Sequence, residues 1–378
     1  LIEYQKKSDI IGYFGLFGGV ETLEAKTEQQ NFNVSQSTSR APAENLVEKD
    51  DRNWRPIVAK YQIPSLGKSI WQSVNSIGPY LALLVACYFT VSVSWLLTVS
   101  LASLAGLFLV RIFIIFHDCG HGSFFRSKKA NNVLGFITGI MTFTPYRYWR
   151  WQHAVHHGTS GNLDHRGTGD IWTMTVNEYL NASWWIKLRY RISRNPIVVF
   201  FICPLLLFWV YQRFAFDKAS TRDRRSVLWM NLSLLVYVTA MSLLFGFWNY
   251  FFIQFILTLV SGTSGVWLFY VQHQFEDTYW RKAEEWDYLN SAMQGSSYYK
   301  LPKVLQWFSG NIGFHHIHHL SSRIPNYNLE ACHNAEPFFS QVPELTLRKS
   351  WKSMSLRLWD EEGEKLVGYR HLKGLRVR

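Results

Sequence analysis

Residues 69–110 run for 42 positions without a single Asp, Glu, Lys, Arg or His, and residues 226–275 run for 50 with one ionisable group, His273. A helix rises about 1.5 Å per residue and the bilayer interior is about 30 Å thick, so about 20 apolar residues make one crossing. Each block therefore holds two crossings and predicts a helical hairpin. The turns are expected near residues 92–100 and 245–250, both free of Lys and Arg. Arg55, Lys60 and Lys68 precede the first block, and Arg111, Arg126, Lys128 and Lys129 follow it. The positive-inside rule then places both ends of that hairpin on the cytoplasmic side.

Composition agrees with a membrane chain. Charged residues make up only 17%, against 17 Trp, 27 Phe and 19 Tyr, and the charge is concentrated between the apolar blocks. The net charge of +12 is not arranged as a stripe beside exposed aromatics. It borders apolar segments, which suits anionic headgroups and argues against nucleic acid as a partner. Cys87, Cys119, Cys203 and Cys332 show no CxxC spacing, and two of them lie in apolar runs, so free thiols are expected.

The remaining segments are read from their flanks. Residues 1–52 contain a short apolar patch and then a Gln-, Ser-, Thr- and Glu-rich tract without period, expected to be a disordered tail. The patch is too short for a crossing and has no A-x-A-like site, so a secretory signal is not expected. Residues 130–146 are uncharged but short, which predicts an interfacial segment. Residues 197–212 are interrupted by Pro204 and basic on both sides, which predicts a segment that enters and returns on one side. The expected fold is an all-α integral membrane domain over residues 53–378. It has four transmembrane helices in two hairpins, interfacial or re-entrant helices, and a cytosolic helical cap.

Histidines collect where the hairpins end. His117 and His121 lie four apart in FHDCGHGSFF, one helical turn on one face. His153, His156 and His157 in WQHAVHH stand at i, i+3 and i+4, and His315, His318 and His319 in GFHHIHHL repeat that spacing. His273 closes the second hairpin. With four crossings all nine fall on the cytoplasmic face, whereas a fifth would place His273 opposite His117. Nine imidazoles exceed the four ligands of a tetrahedral zinc site and suit two metals of higher coordination number. Imidazole serves Zn, Cu, Fe and Ni alike, so the ligand type leaves the metal open.

The three boxes HDCGH, HAVHH and HHIHH, in this order, resemble those of the integral-membrane fatty acid desaturases. GNLDHRGTGDIWTMTV (161–176) and HHLSSRIPNYNL (318–329) look like the bacterial Δ12 or ω-6 branch. The resemblance implies two iron ions held by His117, His121, His153, His156, His157, His273, His315, His318 and His319. It also implies O2 as co-substrate, two electrons from an external donor such as a ferredoxin, and a cis double bond formed in an acyl chain. The substrate would be an acyl-lipid, an acyl-CoA or an acyl carrier, with membrane lipids as surroundings and the bacterial inner membrane as the location. Where the family has an asparagine ligand one turn before His273, this chain has Phe269.

The chemistry fits that reading. An unactivated methylene has no acidic proton, so acid–base side chains alone do not attack it. The protein's task is to hold metal and aim one carbon–carbon bond at it. Trp149, Trp151, Trp267 and Phe269 are candidate walls for an acyl tunnel. Asp118, Asp164, Asp170 and Glu276 are candidates to orient ligand rings, because metal-bound His usually donates its other N–H to a carboxylate or carbonyl. His316 is expected to face away from the ligands, and His333 and His371 to be solvated. Two alternatives stand beside desaturation. One is an acyl or carotenoid hydroxylase or ketolase of the same architecture. The other is a metal transporter, which would require ionisable groups within the spans.

Overall fold

The computed structural model describes residues 54–216 and 219–375; the tail expected over residues 1–52 lies outside them. A short α1 (Trp54–Ala59) leads into the first hairpin, α2 (Leu66–Thr90) and α3 (Trp95–His121). Ser65 and Ser94 start these two helices by accepting the N–H groups of Lys68 and Leu97. The turn falls at residues 91–94, at the leading edge of the expected stretch.

α3 does not stop at Arg111, which sequence reading placed on the cytoplasmic flank. The arginine is buried within the helix. Its Nε donates to Ser76 Oγ at 3.1 Å, Nη1 donates to the Trp307 carbonyl, and the guanidinium lies 4.0 Å from the Trp307 ring centre. With its donors satisfied inside the protein, the charge does not force the helix to end.

α4 (Lys128–Met141) has 14 residues, too few to cross a bilayer, and is followed by α5 (Tyr146–Thr159), β1 (Met174–Thr175), α6 (Val176–Asn181) and α7 (Trp184–Ser193). A π-helical turn at Val198–Ile202 continues into α8 (Cys203–Trp209), and this run bends by 61° from α7. The second hairpin is α9 (Thr221–Phe245) and α10 (Phe247–His273), broken by Gly246 within the expected turn. Among the described residues four helices are long and apolar enough to cross a membrane, or five if the bent pair counts as one span.

The cap contains α11 (Tyr288–Gln294), β2 (Tyr298–Lys300), α12 (Lys303–Phe308), α13 (His315–Leu320), α14 (Asn326–His333), β3 (Glu344–Thr346), α15 (Leu347–Ser350), β4 (Leu358–Asp360), β5 (Lys365–Val367) and α16 (His371–Leu375). Two small sheets were not anticipated by the all-α expectation. β1 pairs parallel to β4, which pairs antiparallel to β5, and β2 pairs parallel to β3. Both join segments far apart in sequence, and the three-stranded sheet buries Leu358, Trp359 and Leu366 in the core of the cap.

α3 is the central post. Over its most apolar stretch 56% of it is buried inside the protein, against 17% for α9. Leu109 and Ile112 of α3 pack with Tyr80 and Leu84 of α2 and with Ile253 and Leu257 of α10. Contact with α10 is close because position 106 is glycine: a Cβ there would lie 2.8 Å from Val260 Cβ. Gly106→Leu is therefore expected to destabilise by about 1–3 kcal/mol through overpacking. Thermal unfolding of the purified protein in detergent would register this as a lowered midpoint; an unchanged midpoint would mean that the two helices separate freely.

Candidate metal centre

α3 and α10 end at the same end of the bundle, and each ends on a predicted ligand: His121 is the last residue of α3 and His273 the last of α10. Gly122, at φ +72°, stops α3 in the left-handed conformation that glycine adopts without a Cβ penalty. Its N–H and that of Ser123 close on the carbonyls of Cys119 and Asp118. Tyr146 Oη donates to the Cys119 carbonyl at 2.6 Å and so ties the start of α5 to this turn. α5 then brings the second box across the first, and the six-residue α13 lays the third box over both.

The structure gathers the histidines into two adjacent groups. Ring nitrogens of His117, His121, His153, His157 and His318 lie within 4.8 Å of one another, and so do those of His156, His273 and His319. His315 joins the second group, its Nε2 lying 2.9 Å from His273 Nε2. Within the first group the Nε2 atoms of His117 and His318 are 3.1 Å apart, and those of His318 and His157 are 2.9 Å apart. Buried Nε2 atoms of His121, His156 and His319 have no hydrogen-bond partner among the described residues. Nitrogens that converge in pairs, with others buried and unsatisfied, form a donor set able to bind metal.

The rings are tuned for that role. Burial, reinforced by neighbouring rings, holds His153, His157, His315, His318 and His319 well below the usual imidazole pKa. These rings are therefore neutral at pH 7, the form that ligates metal. Three rings have fixed tautomers. His117 Nδ1 donates to Asp118 Oδ1 at 3.0 Å, His156 Nδ1 to Asp170 Oδ1 at 2.6 Å and His273 Nδ1 to the Gly295 carbonyl at 3.1 Å. In each, Nδ1 carries the donated proton and Nε2 faces the cluster.

Of the four acids singled out from sequence, Asp118 and Asp170 touch rings of the two histidine groups. Asp164 instead accepts the Ala283 N–H at 2.8 Å, and Glu276 pairs with Lys352. Both are corrections: proximity in sequence to a histidine does not fix a direction, and these carboxylates join outer loops. His316 faces away from the clusters, as expected, but onto His333, with Nε2 3.0 Å from Nδ1. His333 is thus buried rather than solvated, and His371 lies 3.2 Å from Asp360. Among the candidate walls, Trp149 stacks on His153 with ring centres 4.5 Å apart, and Phe269 lies 5.1 Å from His156 and 5.2 Å from His273. Phe269 offers no donor atom; with His273 and Asp170 it lines a small cavity. Trp151 packs on Tyr148 and Trp267 on Phe200, so these two face other parts of the fold.

Sequence reading missed two residues that support His117. Asp118 Oδ2 accepts from both the backbone N–H and the side-chain amide of Asn326, at 2.7 and 2.8 Å, and Asn326 Oδ1 accepts from Gln72 at 3.0 Å. Asn131 exchanges two hydrogen bonds with the backbone of Phe125. Only the third-box stretch IPNYNL hinted at Asn326, and nothing hinted at Gln72. Asp170→Ala leaves the His156 tautomer unfixed and is expected to lower metal affinity about 10–100-fold. Metal retained per chain after graded chelator treatment would show it, and retention equal to wild type would remove Asp170 from this role.

The fatty acid desaturase family model matches residues 93–347. A fatty acid desaturase of Bacillus subtilis is 46% identical over 320 residues, covering 85% of this chain and 91% of the relative. An sn-1 oleoyl-lipid 12-desaturase of Synechocystis is 25% identical over 272 residues, 68% of this chain and 71% of the relative. An sn-1 acyl-lipid omega-3 desaturase (ferredoxin) of the same organism is 24% identical over 267 residues, 66% and 70% respectively. With the family match covering most of the chain and all three boxes, the protein belongs to the fatty acid desaturases, O2-dependent oxidoreductases embedded in the membrane.

Proposed function

We propose that the two histidine groups hold a di-iron centre that desaturates a lipid-borne acyl chain. His117, His121, His153, His157 and His318 hold one iron, and His156, His273, His315 and His319 hold the other. The observation that carries this reading is the convergence of nine imidazoles, six buried and three partly buried, from three boxes and the end of α10, into two adjoining donor sets. When bound, iron supplies activation of O2, which removes two hydrogen atoms from adjacent methylenes. The balance is –CH2–CH2– + O2 + 2 e⁻ + 2 H⁺ → –CH=CH– + 2 H2O.

The chain's own residues hold and aim. Asp118 and Asp170 keep protons on Nδ1 of His117 and His156, and the buried rings shut bulk water out of the centre. Trp149, stacked on His153 and 4.8 Å from Phe116, supports an apolar wall on the side of α3. We assign the boxes to the cytoplasmic face on the basic flanks of the first hairpin, and the electrons to a soluble ferredoxin-like donor, because one group of relatives carries that donor in its name. Names of several relatives also specify acyl-lipids, which favours a lipid over CoA or a carrier protein. For the double-bond position, the 12-desaturases at 25–28% identity support Δ12.

Two measurements test this. Purified protein should contain close to two irons per chain, and zinc alone or no metal would sink the di-iron reading. Expression in a host that makes saturated and Δ9-monounsaturated lipids should give a new Δ12 diene by mass spectrometry. A new monoene from a saturated chain would overturn the position while keeping the activity, and a hydroxy acid would favour the hydroxylase. His156→Ala should bring the product below detection while leaving membrane insertion intact.

A further inference from the structure

Arg194, the residue that caps α7, is 1% exposed. Its Nη2 donates to Gln274 Oε1 at 2.7 Å and to the Leu356 carbonyl at 3.2 Å, and its guanidinium lies 5.3 Å from the Tyr270 ring centre. Arg194 Nε and Nη1 are buried and have no hydrogen-bond partner among the described residues. A second buried guanidinium meets the same groups: Arg357 Nη1 donates to the Leu356 carbonyl at 2.9 Å and to Tyr270 Oη at 3.3 Å. Burial pushes the Arg357 guanidinium below its usual range.

Among the described residues no carboxylate lies within 4.0 Å of either arginine. Glu178 pairs with Arg166 and Glu364 with Arg281. Tyr369 packs on the cluster that holds Tyr190, whose hydroxyl donates to the Arg357 carbonyl, and the buried hydroxyl of Tyr369 is itself without a partner among the described residues. Two buried cations without a counter-charge are costly, and each unsatisfied buried donor adds to that cost. The unsatisfied atoms here are donors, and an oxyanion with several acceptor oxygens answers all of them at once.

We propose that Arg194, Arg357 and Tyr369 form a closed binding site for a phosphate-type oxyanion at the base of the cap. The placement suits a phospholipid phosphate. α7 carries Trp184 and Trp185 on its exposed face, as interfacial helices do, and the chain turns from α7 into the apolar π-turn and α8 immediately after Arg194. Inorganic phosphate offers the same chemistry. The site is independent of the histidine clusters, although Gln274, which Arg194 holds, directly follows His273.

The test uses metal-loaded protein purified in a non-ionic detergent and phosphate-free buffer. Native mass spectrometry would look for a retained phospholipid. Thermal unfolding would be followed with inorganic phosphate or short-chain phosphatidylglycerol at constant ionic strength set with chloride. A retained lipid, or a saturable rise in midpoint with phosphatidylglycerol alone, identifies a headgroup; a rise with inorganic phosphate identifies the free anion. Either result supports the site if Tyr369→Phe and Arg357→Gln each weaken binding at least 10-fold. Tyr369→Phe removes a single hydroxyl, so it keeps the test valid if the arginine variant fails to fold. Binding unchanged in Tyr369→Phe, or no retained lipid and no midpoint rise beyond chloride in wild type, would overturn the proposal.

Discussion

The structure turns on crowding nine imidazoles together in two adjoining groups. Their rings come as close as 4.3 Å centre to centre, as in His157 and His319. A proton on any ring of such a group would repel every neighbour and lose hydration as well, so the protein must fix where each proton sits. Asp118, Asp170 and the Gly295 carbonyl do this at three positions by accepting from Nδ1. The turn after His121, the crossing of α5 and the short α13 are then the means of bringing rings from distant segments to a common volume. Polar bonds that look incidental, such as Tyr146 to Cys119, are part of the same task.

Support for His117 reaches across the molecule. Gln72 belongs to α2, Asp118 to α3 and Asn326 to the start of α14. Three separate elements thus meet in one chain of hydrogen bonds ending on the His117 ring. The link from Asn326 to Asp118 spans 208 residues. It couples the cap to the first hairpin by a bidentate contact in a buried setting, where such bonds are strong and their loss is costly.

The parts of this protein that follow from local pattern were legible in its sequence. Uncharged runs announced the two hairpins, because one physical rule, the cost of charge in lipid, governs them. The i, i+3 and i+4 spacings announced the boxes because helical geometry is local. What escaped reading was long-range or a matter of direction. Arg111 looked like a flank because the Ser76 and Trp307 groups that accept its donors are remote in sequence. Asp164 and Glu276 have the right chemistry near the right histidines, yet each is turned outward by a partner more than 75 residues away. His333 looked solvated until α14 folded it against His316. The strands are two or three residues long and carry no period that a reader could detect.

α3 runs unbroken through 27 residues, about 40 Å at the usual helical rise, whereas the bilayer interior is about 30 Å. A helix of that length has about 10 Å, roughly two turns, to spare beyond the hydrocarbon, and His117 and His121 occupy its C-terminal two turns. An acyl chain that reaches those turns from the leaflet has to run along the protein.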